Sequence, residues 1–350
     1  MRKIPLLFAL ALSAGHAAAQ AASYPEPVSA DFTIPQFRFA SGETLTNLKL
    51  HYTTIGKLNG NNAVLILHGT GGSGRGFLSD RFAGNLFGAG QPLDAAKYFI
   101  ILPDGIGHGE SSKPSDGLHA RFPRYGYSDM VTSQYRLVTE ALGARHLRLV
   151  MGTSMGGMQC WMWGERYPAF VDALFPLASA PVQIAGRNRM IRRTIIDSIR
   201  RDPEWKEGNY DMQPRGLTTA MYGLMFMLSV PLEWHAEAPT QAEADRFFDD
   251  WIRNRRAAYD ANDLLYQFEA SEDYDPSPDL EKITAPLFAV NSADDQVNPP
   301  ELGILEREIK RVKRGRYILL PITSATRGHG THSLPEIWGG YLKELLVLSK

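Results

Sequence analysis

Short apolar runs alternate with longer stretches of helical periodicity along most of the chain. Residues 63–68 (Ala-Val-Leu-Ile-Leu-His), 98–102 (Tyr-Phe-Ile-Ile-Leu), 147–151 (Leu-Arg-Leu-Val-Met) and 286–290 (Pro-Leu-Phe-Ala-Val) are each bounded by turn formers. None alternates strictly between apolar and polar, which is the pattern of a strand covered on both faces. Helical stretches such as Tyr127 to Leu142 separate them, so the pattern predicts an α/β fold with a mostly parallel sheet flanked by helices. Residues 316–321 read as one more strand. In such a sheet ligands bind beyond the carboxyl ends of the strands, so the residues that close each run are the candidates for chemistry.

The rhythm breaks between about Pro181 and Leu280, where Arg-rich and aromatic helical stretches contain no convincing buried strand. The sheet pattern restarts at Pro286. The spacing predicts a helical cap, residues 181–280, inserted into a core made of residues 22–180 and 281–350. No Pro/Gly/Ser-rich linker marks either border.

Composition narrows the function. Thirty-seven Lys and Arg against 38 Asp and Glu give a net charge of -1, which lacks the basic surface that nucleic acid requires. The single cysteine, Cys160, excludes an intrachain disulfide, a Cys-based zinc site and an Fe–S cluster. Met1-Arg2-Lys3, the apolar run from Ile4 to Ala14 and the small residues at 17–21 have the form of a secretory signal peptide, residues 1–21, so the mature chain is expected to be exported to the periplasm or beyond. Residues 220–228, Ala to Leu, are too short to span a bilayer, and no stable membrane insertion is expected after signal cleavage. The oligomeric state is left open.

The most specific motif is Gly152-Thr153-Ser154-Met155-Gly156, placed between a predicted strand and an apolar helical stretch. Glycines in that context permit a tight turn that exposes the serine oxygen, which makes Ser154 a candidate nucleophile. A serine hydroxyl needs a base held by a carboxylate, in the chain order Ser, acid, His. Asp294 and Asp295 close one strand, and the spacing to Val297 and Pro299-Pro300 favours Asp295. His329, between Gly328 and Gly330, and His332 are the candidate bases. The oxyanion of a tetrahedral intermediate needs backbone donors, for which Met155, following the nucleophile, and Thr70, in the Gly-rich loop after His68-Gly69, are positioned. That loop lacks the lysine of a phosphate-binding loop, and no motif here requires a cofactor or metal.

Other conspicuous residues have structural readings. Cys160 reads as a small buried side chain, and Asp104 as the residue that orders its turn with Gly105 and Gly107. Arg187, Arg189, Arg192, Arg193, Arg200 and Arg201 read as a solvated helix face, with anion binding as the minority alternative. Met221, Tyr222, Met225, Phe226 and Trp234 read as cap packing or as the lining of an acyl pocket.

Taken together, Phe122-Pro123, Asp129-Met130-Val131, Gly152 to Gln159, Tyr259 to Asn262, Asp273 to Asp275, Asn291 to Asp295 and Gly328-His329 make the chain similar to the α/β-hydrolase superfamily, in its homoserine O-acetyltransferase-like branch. The resemblance spans nearly the whole chain after residue 21. It implies an α/β-hydrolase fold and a triad of Ser154, Asp295 and His329. Two departures matter. Acetyltransferases of that branch carry an arginine for the acceptor carboxylate where this chain has Met221, and an aspartate for the acceptor ammonium where it has Gly330. Export would also separate the enzyme from cytoplasmic acetyl-CoA. The expected function is therefore a secreted, esterase-like serine hydrolase of a small-molecule acyl substrate. Acyl transfer is the alternative, and a binding protein on an inactive hydrolase scaffold is the third reading.

Overall fold

Four of the apolar runs become strands whose every residue is buried, β3 (Ala63–Leu67), β4 (Phe99–Pro103), β5 (Leu149–Thr153) and β7 (Leu287–Ser292), and a further fully buried strand, β6 (Leu174–Leu177), joins them in the computed structural model, which describes residues 24–349. The signal-peptide expectation lies outside the described residues. Two-sided burial explains why these runs do not alternate. The side chains nevertheless divide with the two-residue period of a strand. Leu65, Leu67 and Val150 join one core with Met130, Trp161 and Trp163, whereas Val64, Ile66, Leu149 and Met151 join the other with Phe82, Trp338 and Leu342.

The sheet has eight strands in the order β1-β2-β4-β3-β5-β6-β7-β8, where β1 is Val28–Arg38, β2 is Thr44–Ile55 and β8 is Gly315–Leu320. From β4 to β8 all pairings are parallel, while β1 and β2 form an antiparallel hairpin that joins β4 antiparallel. Three strands go beyond the sequence expectation. β1 and β2 expose one face and alternate, so they contain no continuous apolar run; β6 has only four residues and includes Pro176. The helix expected from Tyr127 to Leu142 is regular only to Arg136 and ends in one wider turn.

Helices α1 (Asp80–Leu86), α2 (Tyr127–Arg136) and α3 (Met155–Arg166) cover the sheet. Between β6 and β7 the chain makes α4 (Gly186–Arg200), α5 (Arg215–Met227), α6 (Pro231–Glu237), α7 (Gln241–Ala258) and α8 (Ala261–Glu269). These helices have their own apolar cluster, built around Ile195, Ile199, Leu217, Met221, Leu224 and Leu265. The short α9 (Ile304–Glu308) and α10 (Pro335–Leu348) complete the chain. No helix among the described residues is long and apolar enough to cross a membrane.

Two structural readings match their residues. Cys160 is fully buried on α3, where its thiol donates to the Val150 carbonyl at 3.2 Å and burial pushes its pKa up. Asp104 accepts the N–H groups of Gly74 at 2.7 Å and Glu110 at 2.8 Å, which ties two loops at the strand ends together.

Candidate active site

The residues singled out from the sequence follow the carboxyl ends of four strands: Thr70 after β3, Ser154 after β5, Asp295 after β7 and His329 after β8. Chain order reverses at β3, the position in an open α/β sheet where a crevice opens.

Ser154 has φ 53° and ψ -112°, a conformation that L residues rarely adopt. The strain is held by its surroundings. Its N–H donates to the Leu177 carbonyl at 2.9 Å, and its carbonyl accepts the Met158 N–H at 2.9 Å. The flanking glycines are required by close approach: a Cβ on Gly152 would lie 2.2 Å from the Gly156 backbone, and one on Gly156 would lie 2.0 Å from the Leu67 carbonyl oxygen. The turn therefore pushes the serine side chain away from the sheet.

His329 Nε2 is 2.9 Å from Ser154 Oγ, and its Nδ1 is 3.1 and 3.0 Å from the two Asp295 carboxylate oxygens. A carboxylate only accepts, so Nδ1 carries the proton and Nε2 is the free acceptor for the serine hydroxyl. Asp295 is fully buried and also accepts the N–H groups of Val297 at 2.7 Å and Asn298 at 3.2 Å. Burial alone would raise its pKa. The adjacent His329 and the two backbone donors outweigh that effect and hold the carboxyl below the ordinary value. Asp294 instead bonds the Ser292 hydroxyl.

His332 lies in the same short helical turn as His329 and packs edge-on against it, ring centroids 5.3 Å apart. It hydrogen-bonds neither Ser154 nor Asp295, and its Nδ1 has no partner. Burial, with the neighbouring His329, pushes its pKa down to about 3.

Two more imidazoles support the Thr70 loop. His68 Nδ1–H donates to the Gly69 carbonyl at 2.8 Å and its Nε2 accepts the Gly105 N–H at 2.9 Å, so the neutral ring bridges two strand ends. Burial lowers its pKa, and burial with the nearby His68 takes His108 down to about 3. The loop itself presses on Ser154: a Cβ on Gly69 would lie 3.3 Å from Ser154 Cβ. Met155 is the first residue of α3, where a backbone N–H has no intrahelical acceptor.

These buried neutral histidines make stability pH-dependent. Below the ordinary histidine value, ~6.5, the unfolded chain binds protons that folded His108 and His332 exclude until about pH 3. The stability that these two groups contribute is therefore full above ~6.5 and falls with pH by about 1.4 kcal/mol per unit for each. His68, shifted the same way, adds to the loss. Burial also raises the pKa of Glu165 to about 8 and that of Asp263 to about 6, which acts in the opposite direction as pH falls. The histidine contribution is therefore read from the rings themselves: an NMR titration is expected to show His108 and His332 still neutral at about pH 5, and protonation of either near ~6.5 would contradict the neutral assignment.

A cavity of about 570 Å³ opens over Ser154 and His329. Its far wall comes from the helices between β6 and β7, through Met227, Trp234, Phe247 and Trp251. At its edge Arg327 pairs with Glu233, Nε to Oε1, at 2.9 Å. Of the expected cap residues, Met221 and Met225 are buried, Tyr222 and Phe226 are exposed, and Trp234 lines the cavity. Gly330 also lines it, whereas Met221 packs in the helical core. Among the described residues no group of three or more His, Cys, Asp or Glu is arranged to hold a metal.

The basic stretch on α4 is not wholly a solvated face. Arg189, Arg193 and Arg201 pair with carboxylates at the surface, Arg200 pairs with the largely buried Glu269, and Arg187 is exposed. Arg192 is only 2 % exposed and lines the cavity. The missed signal was periodic: Asn188, Arg192, Ile195, Ile196 and Ile199 share one helical face, and its apolar members point inward. Tyr127, buried behind this wall, had no sequence signal.

A family model described as the alpha/beta hydrolase fold matches residues 62–317. The chain is 33% identical over 275 residues to a homoserine O-acetyltransferase of Moorella thermoacetica, covering 68% of this chain and 72% of the relative. It is 30% identical over 281 residues to a probable acyltransferase of Methanothermobacter thermautotrophicus, covering 78% and 85%. Among solved structures, the homoserine O-acetyltransferase of Bacillus anthracis superposes with a TM-score of 0.79 at 20% identity, covering 91% of this chain and 97% of that one. An acetylester hydrolase from Corynebacterium glutamicum gives 0.79 at 22% identity, covering 91% and 96%. The matched sheet and the level of identity place this chain in the α/β-hydrolase fold family, in its homoserine O-acetyltransferase-like branch.

Proposed function

We propose that the protein is a serine-dependent acyl-transfer enzyme that takes the acyl group of a small ester or other activated donor onto Ser154 and passes it to a hydroxyl acceptor. The observation that carries this reading is the unbroken hydrogen-bond line from Ser154 through His329 to Asp295 at the floor of a cavity of about 570 Å³. That volume is in the range that encloses a ligand much larger than an acetyl group.

Ser154 Oγ attacks the donor carbonyl carbon while its proton passes to His329 Nε2. The N–H groups of Thr70 and Met155 stabilise the oxyanion, and Asp295 stabilises the imidazolium and fixes its tautomer. Collapse breaks the bond to the leaving alcohol, which takes the proton from Nε2 and leaves an acyl-Ser154 ester. The acceptor hydroxyl then gives its proton to Nε2 and attacks that ester. Ser154 Oγ leaves as the second intermediate collapses, and it regains the proton. The helices of residues 181–280 act as the cap that keeps water from the acyl-enzyme.

The similarity to curated acyltransferases at 30% identity and above supports transfer over hydrolysis, the reverse of the sequence-based preference. Water as the final acceptor is the second reading, favoured by Met221 lying outside the cavity and by Gly330 having no side chain. The test supplies 4-nitrophenyl acetate as donor with homoserine, 4-hydroxybutanoate or 1-butanol, and quantifies acetylated acceptor against free acetate by mass spectrometry. Acetylated acceptor is expected to exceed free acetate at millimolar concentrations of the preferred acceptor. Free acetate as the main product with every acceptor would return the assignment to hydrolysis.

A further inference from the structure

Arg192 is the arginine of the α4 basic stretch that turns inward. Its Nε–H donates to Asn188 Oδ1 at 2.9 Å and Nη1 donates to Ser271 Oγ at 3.2 Å, both neutral partners, and its guanidinium lies 5.4 Å from the centre of the Phe268 ring. Among the described residues no carboxylate pairs with it, and its remaining polar neighbour is the neutral Tyr127 hydroxyl. The other cavity arginines differ. Arg327 has Glu233, and Arg255 is exposed, with the Trp251 ring 5.4 Å away. A guanidinium stays charged at any accessible pH, so burying one without an anion is costly, and the cost is relieved when a ligand brings the anion.

A second observation points to the same place. Thr70 Oγ1 and the Tyr127 hydroxyl are buried without a well-aligned hydrogen bond, close to each other and to Arg192. Thr70 and Arg192 both lie against the Tyr127 phenol, and both line the cavity that contains Ser154. Buried polar atoms are nearly always satisfied, so poorly satisfied donors grouped beside an unpaired cation describe the complement of an acceptor-rich anion.

We propose that Arg192 and the Thr70 hydroxyl form a subsite for a carboxylate carried by the substrate, with Tyr127 as the positioning residue behind Arg192. This deepens the acyl-transfer reading and rests on it for the identity of the reacting centre. The subsite adjoins the loop that presses on Ser154, so the carboxylate and the reacting carbonyl or hydroxyl belong to one short molecule. The same chemistry is met by an acid on the acyl chain of the donor or on the acceptor.

Binding is measured first on Ser154→Ala, where no acyl transfer intervenes, by following the fluorescence of the cavity tryptophans Trp234 and Trp251. Monomethyl succinate is expected to bind about 10- to 100-fold more tightly than dimethyl succinate, and adding Arg192→Gln is expected to make the two alike. No preference for the anion, or a preference that survives Arg192→Gln, would overturn the proposal. If that variant does not fold, Arg192→Lys and Thr70→Val must each reduce the preference several-fold, and an unchanged preference in both would overturn it. In the active enzyme, monomethyl succinate against methyl butanoate tests the acyl side, and 4-hydroxybutanoate against 1-butanol tests the acceptor side. A preference in one arm that falls with Arg192→Gln identifies the carrier; equal use in both arms contradicts the subsite. Failure of Ser154 to acylate would sink the acyl-transfer reading without touching the binding result, so the two are separable.

Discussion

Ser154→Ala is expected to abolish labelling by a fluorophosphonate probe and to reduce ester turnover by roughly 10⁶-fold, to the level that the remaining binding groups supply alone. The expectation follows from geometry: Ser154 is held at φ 53° with its oxygen 2.9 Å from the unprotonated nitrogen of His329, and a covalent path needs that oxygen. His329→Ala is expected to lose a comparable factor, because groups that act as a unit fail together. His332→Ala is expected to lose far less, since His332 bonds neither Ser154 nor Asp295. Labelling at full strength in Ser154→Ala would remove the nucleophile assignment and favour a binding protein on a hydrolase scaffold. Equal losses at the two histidines would mean that His332 takes part in proton transfer.

Asp295→Asn is expected to lower turnover by about 10⁴-fold while leaving the protein folded. The amide can turn its NH2 toward His329 and donate to Nδ1, which moves the ring proton to Nε2, and that tautomer can no longer take a proton from the serine. Asp294→Asn is the control, because Asp294 bonds Ser292 rather than the imidazole. Measuring kcat for both variants with one ester, alongside thermal melting, separates the chemical effect from loss of stability. A larger loss at Asp294 would reassign the acid within the same loop.

Four strands with two buried faces were legible from single runs, because full burial leaves a composition signal that needs no partner to be read; β6, four residues long and interrupted by Pro176, was not. The antiparallel hairpin of β1 and β2 was not, since its polar positions face solvent and break every run. At the site, the strand-turn-helix context of Ser154 carried its own signal. The adjacent pair Asp294 and Asp295 stayed open on residue chemistry alone, because two neighbouring aspartates offer the same group. They differ only in direction: one carboxylate turns to Ser292, the other is buried against His329.

Arg192 shows the reverse case. A count of charges along α4 suggested a solvated face, and only the helical phase relative to Ile195 and Ile199, combined with the packing of α8 through Phe268 and of Ser271 just beyond it, turns that one guanidinium into the cavity. Local sequence by itself determined what is encoded within a few residues: buried strands, the glycine-lined turn at Ser154 and the residue types available for acyl chemistry. The tertiary structure decided which aspartate and which histidine meet Ser154, and which arginine faces the cavity. Those choices depend on contacts between residues 34 to 175 positions apart, and such contacts exist only once the sheet has brought its strand ends together.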